Sequence, residues 1–190
     1  MGREVISRCA HFLENHDEPR ISSFLNVPEH RVEAAVILTL PGMRFLHEGQ
    51  LDGATRRIPV QMLRRPNQPL NAEIRLLYEN LLTLLPHTFV GRGQCELLVP
   101  QAATPGNASG QDLVLLQWMS ERAEFDVVAI NLANHRSQCF VPLKLPSSGR
   151  RNRKIQSLLG NSAPAVAKPD QQPGIYLDLA EWSFEVLRFS

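Results

Sequence analysis

The chain changes its pattern once, at Pro86, and that change limits what it can fold into. Before it, apolar residues recur at helical spacing in two segments, each preceded by a short apolar run. After it come short apolar or alternating runs separated by clusters of Gly, Pro, Asn and Ser. The first pattern implies βα units with parallel strands, and the second an antiparallel β-sandwich. The expected fold is therefore α/β plus all-β, with the boundary near residues 87–92. Residues 1–88 and 89–190 are the expected units.

Within the first unit, residues 9–14 (Cys-Ala-His-Phe-Leu-Glu) read as a buried strand that delivers the polar stretch 15–20 at its carboxyl end. Asn26 or Val27 can cap a helix, Pro28 suits its first turn and Glu29 complements its dipole. Val32, Ala35, Val36 and Leu40 mark its apolar face, and Pro41-Gly42 stops it. Residues 43–47, between Gly42 and Gly49, read as a second strand. Residues 48–69 form a polar connection with three prolines, a long surface or functional loop. Asn71 caps a second helix whose apolar face is Ile74, Leu77, Tyr78, Leu81, Leu82 and Leu85, and Pro86 ends it. The second unit offers strands at 94–99, 113–119, 127–132, 139–145, 175–179 and 184–189. Residues 164–173 are expected to form one mobile loop.

Two βα units do not close a barrel, which takes eight and about 250 residues. Left alone they expose strand edges and apolar helix faces. The first unit is thus expected to need a partner, either an N-terminal portion missing from this sequence or a second chain. A compact two-stranded α+β arrangement is the alternative, although sheets that small are rarely stable alone.

The bulk numbers exclude several classes. Lys plus Arg is 20 against 19 for Asp plus Glu, a net charge of +1. Neither nucleic acid nor an anionic membrane is called for. The densest basic run, residues 150–154, sits beside a Pro-Ser-Ser-Gly stretch and reads as a solvated loop. Cys9, Cys95 and Cys139 are far apart and form no C-x-x-C pair, so neither a disulfide framework nor a zinc site is suggested. No apolar run approaches the roughly 18 residues of a membrane span. Residues 1–14 carry no signal-peptide core, and reduced thiols fit a cytoplasmic location. Asn107-Ala108-Ser109 then reads as a polar loop rather than a glycosylation acceptor.

Phe12-Leu13-Glu14-Asn15-His16-Asp17-Glu18-Pro19-Arg20 resembles the segment after the seventh barrel strand of the α-amylase family of glycoside hydrolases, which places an Asn-His-Asp triplet there. Residues 40–50, from Leu-Pro-Gly to Gly-Gln, resemble that family's eighth strand. The β-rich remainder, including the Val-x-x-Asn-Leu run at 128–132, resembles its C-terminal β-sandwich. The resemblance implies the end of a (β/α)8 TIM barrel followed by a sandwich. It implies an α-linked oligosaccharide or polysaccharide as ligand, and no cofactor. A structural calcium occurs in the family, mostly outside this segment.

By the same resemblance, Asp17 is the carboxylate that binds sugar hydroxyls and steadies the transition state. His16 hydrogen-bonds the same sugar, and Asn15 shapes the loop. The family's nucleophile and general acid come from its fourth and fifth strands, and nothing in this sequence corresponds to those or to the histidine loop after the third. Leu51 stands before Asp52, where many members have an acid directly after Gly-Gln. The implied function is that of a C-terminal fragment of a retaining hydrolase or transglycosylase, inactive by itself. A non-enzymatic carbohydrate-binding or interaction sandwich and one chain of a split enzyme are the alternatives.

The chemistry fits those residue types. Cleavage passes through an oxocarbenium-like state, and hydrogen bonds to ring hydroxyls that strengthen there accelerate it. A carboxylate accepts such bonds and places negative charge near the cation. From spacing alone, Glu14, Asp17 and Glu18 form a solvated acidic turn. Glu14 is expected to make local salt bridges. Arg20 either positions Asp17 or pairs with Glu18. His47 and Glu48, closing the second strand, are further candidates to line the site. Trp118 and Trp182 are expected to pack in the core rather than stack on sugars.

Overall fold

The computed structural model describes residues 3–64, 66–122, 124–145, 153–160 and 174–190. Most of the basic run and all of residues 164–173 lie outside them.

A short helix α1 (Arg3–Ile6) leads into strand β1 (Ala10–His11), helix α2 (Val27–Thr39), strand β2 (Met43–Arg44) and helix α3 (Ala72–Leu84). The two strands pair in parallel, Ala10 with Met43 and His11 with Arg44. They are shorter than the expected 9–14 and 43–47, because each has a single paired edge among the described residues. The Met43 amide donates to the Cys9 carbonyl and the Phe45 amide to the His11 carbonyl, each at 3.0 Å. Gly42 (φ +133°) permits the approach, since a Cβ there would sit 2.6 Å from the Cys9 carbonyl oxygen.

Asn26, not Val27, caps α2. Its side chain accepts from the Glu29 amide and the Glu29 carboxylate accepts from the Asn26 amide, both at 2.9 Å. This helix is buried on two sides. Val32 and Ala35 meet Leu116, Trp118, Val128 and Ile130 of the β-rich half. Ala34, Ile37 and Leu38 meet Ile74, Leu77, Tyr78 and Leu81 of α3. Asn71 caps α3 by accepting from the Glu73 and Ile74 amides. Leu82, expected in the core, is 37% exposed. Only one side of α3 is covered by α2, so its apolar contact stripe is narrower than the sequence pattern.

The β-rich half holds a five-stranded antiparallel sheet in the order β3-β5-β6-β10-β8 and a three-stranded one in the order β4-β7-β9. These strands are β3 (Gln94–Leu98), β4 (Gln101–Ala102), β5 (Leu113–Met119), β6 (Phe125–Asn131), β7 (Ser137–Pro142), β8 (Ile155–Ser157), β9 (Gly174–Leu179) and β10 (Phe184–Phe189). Leu115, Phe125, Val127, Leu187 and Phe189 of the larger sheet close on Cys139, Val141, Ile175 and Leu177 of the smaller. The result is a sandwich core. The short strands β4 and β8 were not expected from the sequence.

Polar ties lock this half to the helices. The Trp118 indole donates to the Thr39 carbonyl at 3.0 Å, satisfying an end of α2. Buried Asp126 accepts from the Phe89 amide at 2.6 Å and bidentately from Arg188 at 2.9 Å. Arg188 also donates to the His87 carbonyl at 2.8 Å and lies over the Phe89 ring. The junction at 87–89 is thereby fixed. Buried Asn131, from the Val-x-x-Asn-Leu run, accepts from Ala133 and Ser137 and donates to the His135 and Ala180 carbonyls. Trp118 is buried, and Trp182 packs against the α2-facing core at φ +45°.

Candidate functional site

Parallel strands deliver their following loops to one edge of the sheet, so residues 14–22 and 47–53 meet there. Asn15 turns the chain back. Its side-chain oxygen accepts from the Asp17 amide at 2.7 Å and the Glu18 amide at 3.0 Å. The turn leaves the His16 and Asp17 side chains 61% and 72% exposed, with His16 Nε2 3.3 Å from Asp17 Oδ2. On the other side, Arg57 Nε donates to the His16 carbonyl at 3.0 Å. Arg57 Nη2 lies 4.0 Å from Asp17 Oδ1. A cavity of about 320 Å³ opens here, lined by His16, Asp17, Arg57, Pro59, Val60 and Gln61.

Beneath this surface the loops are held by buried charge. Glu14 Oε2 accepts from the Ile21 amide at 2.6 Å, and Glu14 Oε1 pairs with Arg20 Nε at 3.2 Å. Arg20 Nη2 donates to the Glu48 carbonyl at 2.7 Å. One buried ion pair thus ties the loop after β1 to the loop after β2. Burial pushes the Glu14 carboxyl up, while the Ile21 amide and the Arg20 charge pull it down; burial prevails. Neither expectation for Arg20 holds, since its partner is Glu14 and not Asp17 or Glu18. The reason is length and direction: Arg20 is 4% exposed and turns inward, whereas Asp17 points out. Glu14 makes the local salt bridge expected of it.

A second set of buried groups holds the loop after β2. The His47 amide donates to Gln50 Oε1 at 3.1 Å, and Gln50 Nε2 donates to the Tyr78 hydroxyl at 2.6 Å. The Tyr78 hydroxyl lies 2.8 Å from His30 Nε2, and His30 Nδ1 lies 3.3 Å from the Ser22 hydroxyl. Burial lowers the His30 pKa to about 4, so the ring is neutral. Tyr78 then donates to Nε2 and Nδ1–H faces Ser22. Burial, then the Arg20 charge, lowers the His47 pKa.

The geometry therefore joins His16 and Asp17 in one cavity and gives Asn15 the turn beneath them. Arg20 and Glu48 line a neighbouring hollow of about 240 Å³, with Gly49, Asp52 and Ala54. His47 is near enough to His16 for their charges to interact, but it lines neither hollow. Sequence reasoning missed Arg57 and the Gln50–Tyr78–His30–Ser22 network. One signal for Arg57 was present: between Asp52 and Glu73 the chain carries four arginines and no acid.

Chemically, the site offers a solvent-facing carboxylate with an imidazole beside one oxygen and a guanidinium toward the other. Such a set accepts and donates hydrogen bonds to a polyhydroxy ligand. Among the described residues no group of three or more His, Cys, Asp or Glu is arranged to hold a metal ion. None of their helices is long and apolar enough to cross a membrane.

Comparison with known proteins gave no matching family model and no matching curated protein sequence. Solved structures do match. The α-amylase from Geobacillus thermoleovorans, complexed with acarbose, aligns at TM-score 0.70 and 16% identity over 97% of this chain and 39% of that one. The maltogenic α-amylase AmyB from Thermotoga neapolitana aligns at TM-score 0.68 and 16% identity over 95% of this chain and 41% of that one. The Nostoc punctiforme debranching enzyme aligns at TM-score 0.65 and 18% identity over 98% of this chain and 34% of that one. The chain spans well under half the length of each. Its fold is that of the C-terminal part of α-amylase-family enzymes.

Proposed function

We propose that this chain is the C-terminal portion of a retaining glycoside hydrolase or transglycosylase acting on α-glucans or α-glucosides. In this reading residues 1–88 are the seventh and eighth βα units of a TIM barrel, and residues 89–190 are its C-terminal sandwich. Asp17 is the carboxylate that holds sugar hydroxyls and steadies the oxocarbenium-like transition state. His16 donates to the same sugar. The observation that carries the reading is the outward Asn15-His16-Asp17 turn at the carboxyl end of a parallel strand, in a chain with this fold.

The nucleophile and the acid must come from elsewhere. Glu14, three residues before Asp17, is buried and occupied by Arg20 and the Ile21 amide. The open face of the two-stranded sheet, where Phe12, Met43 and Phe45 are exposed, is where the remaining strands of the barrel would pack. A purely binding sandwich is less well supported, because Trp118 is buried and Trp182 packs against the core.

The test is turnover of maltooligosaccharides by the 190-residue chain, alone and with a polypeptide supplying the other barrel strands. The expected result is none alone, and reducing-sugar release that depends on Asp17 after complementation. Asp17-dependent turnover by the isolated chain would overturn the partial-site reading.

A further inference from the structure

We propose that Arg57, with the apolar turn Pro59-Val60 behind it, is a saccharide-reading element of the Asp17 site. The inference rests on the reading of Asp17 as a sugar-holding carboxylate. Arg57 comes from the long polar connection after β2, 40 positions downstream of Asp17, and nothing in the Asn-His-Asp motif calls for it. Its guanidinium nevertheless does two things at that motif. Nε fixes the backbone by donating to the His16 carbonyl at 3.0 Å. Nη2 stands 4.0 Å from Asp17 Oδ1, too far for a direct hydrogen bond, yet near enough for one ligand oxygen seated beside the pair to reach both at about 2.8 Å.

The geometry suits a sugar hydroxyl that bridges the two groups from the cavity side. A hydroxyl both donates and accepts, so it donates to Asp17 and accepts from Arg57 at once. The arginine fork, held by its Nε bond, presents its remaining donors in a fixed plane. Arg57 is 54% exposed and faces the cavity rather than a buried partner. Pro59 and Val60 form the adjoining wall, and Val60 is 70% exposed. A polar edge beside an apolar wall matches a pyranose, whose hydroxyls project around a ring with C–H faces. The wall is itself folded: the Gln68 side-chain oxygen accepts from the Thr55 and Arg56 amides at 3.0 and 3.1 Å, closing the loop that carries Arg57.

The experiment is an NMR titration of the 190-residue chain with maltotriose, following the amides of His16, Asp17, Val60 and Gln61. In the wild type these amides shift in concert. Arg57→Ala weakens the apparent affinity by about tenfold or more, the scale of one charge-assisted hydrogen bond. Arg57→Lys keeps the charge but not the Nε contact and restores little of the loss. Sandwich amides unchanged in the free spectra of both variants establish that the fold is intact. If Arg57→Ala binds as the wild type does, the Arg57 proposal is wrong and the Asp17 reading survives. If Asp17→Asn binds as the wild type does while Arg57→Ala fails, the Asp17 reading is the one that falls. If no amide of the cavity moves in the wild type, both are overturned.

Discussion

The two halves of this molecule are stabilised by different means. The sandwich closes two antiparallel sheets over an apolar core in which Phe125, Val127, Cys139, Val141 and Leu187 are fully buried. The βα half has a two-stranded sheet with one face open at Phe12, Met43 and Phe45. Its helices pack through Ile37, Leu38, Ile74 and Leu77, and its loops are held by buried polar groups: the Glu14–Arg20 pair, and the neutral chain from Gln50 through Tyr78 and His30 to Ser22. The candidate site sits entirely on the second kind of structure. A buried polar network costs desolvation but specifies one arrangement of the loops it holds. A site that must hold a carboxylate in place is built on that, while the sandwich supplies the floor on which α2 rests.

The sharpest way to break this contrast is amide exchange. Residues 10–14 and 43–47 should exchange faster than the amides of β5 and β6 by about a hundredfold or more, as expected where few strands share the load. Equal protection in both halves would show the βα sheet to be self-sufficient. Removing one partner of the buried pair comes next. Arg20→Ala or Glu14→Ala should destabilise the βα half by about 3–5 kcal/mol, because each leaves a buried charge unpaired. A paired apolar replacement should cost less than either single change. Denaturant unfolding followed by a probe in each half distinguishes them.

A pH titration of stability sharpens the comparison further. The His30 pKa is about 4 in the folded chain against about 6.5 unfolded, so the unfolded state binds the extra proton first. The His30 contribution is therefore complete above pH 6.5 and is lost as pH falls through 6.5 toward 4, by up to about 3 kcal/mol. The loss should be absent in His30→Gln, and a wild-type slope of the opposite sign would contradict the assignment. The smallest effect belongs to the open face. Phe12→Ser or Met43→Thr should change the stability of this chain by about 0.5 kcal/mol or less, as at other exposed positions. The same changes should impair any complementation by other barrel strands, which a pull-down would report.

Much of the architecture was legible because it depends on local pattern. The helix cap at Asn71 and the strands Leu113–Met119 and Phe184–Phe189 follow from short-range periodicity and capping chemistry. The strands at 9–14 and 43–47 came out short because strand length is set by neighbours, which a local pattern does not contain. Leu82 was misplaced for the same reason: the width of a buried helix face depends on what covers it. In the candidate site, Asn15, His16 and Asp17 stand out through the resemblance carried by residues 12–20 and not through their spacing, which alone reads as a solvated acidic turn. Arg20 was not, since the sequence distance to Asp17 and Glu18 is shorter than to Glu14, while burial decided the pairing. Arg57 and Tyr78 reach their partners across 41 and 28 residues, and no spacing rule covers such contacts.

The central claim is that Asp17 steadies the transition state rather than decorating an acidic turn. Its most direct test is the steady-state kinetics of Asp17→Asn in the longer enzyme of which this chain is proposed to be the C-terminal portion, on a maltooligosaccharide. In that enzyme kcat should fall by about a hundredfold or more and KM should rise by about tenfold, since the carboxylate holds the sugar in the ground state and holds it more strongly in the transition state. An Asp17→Asn enzyme with unchanged kcat would contradict it.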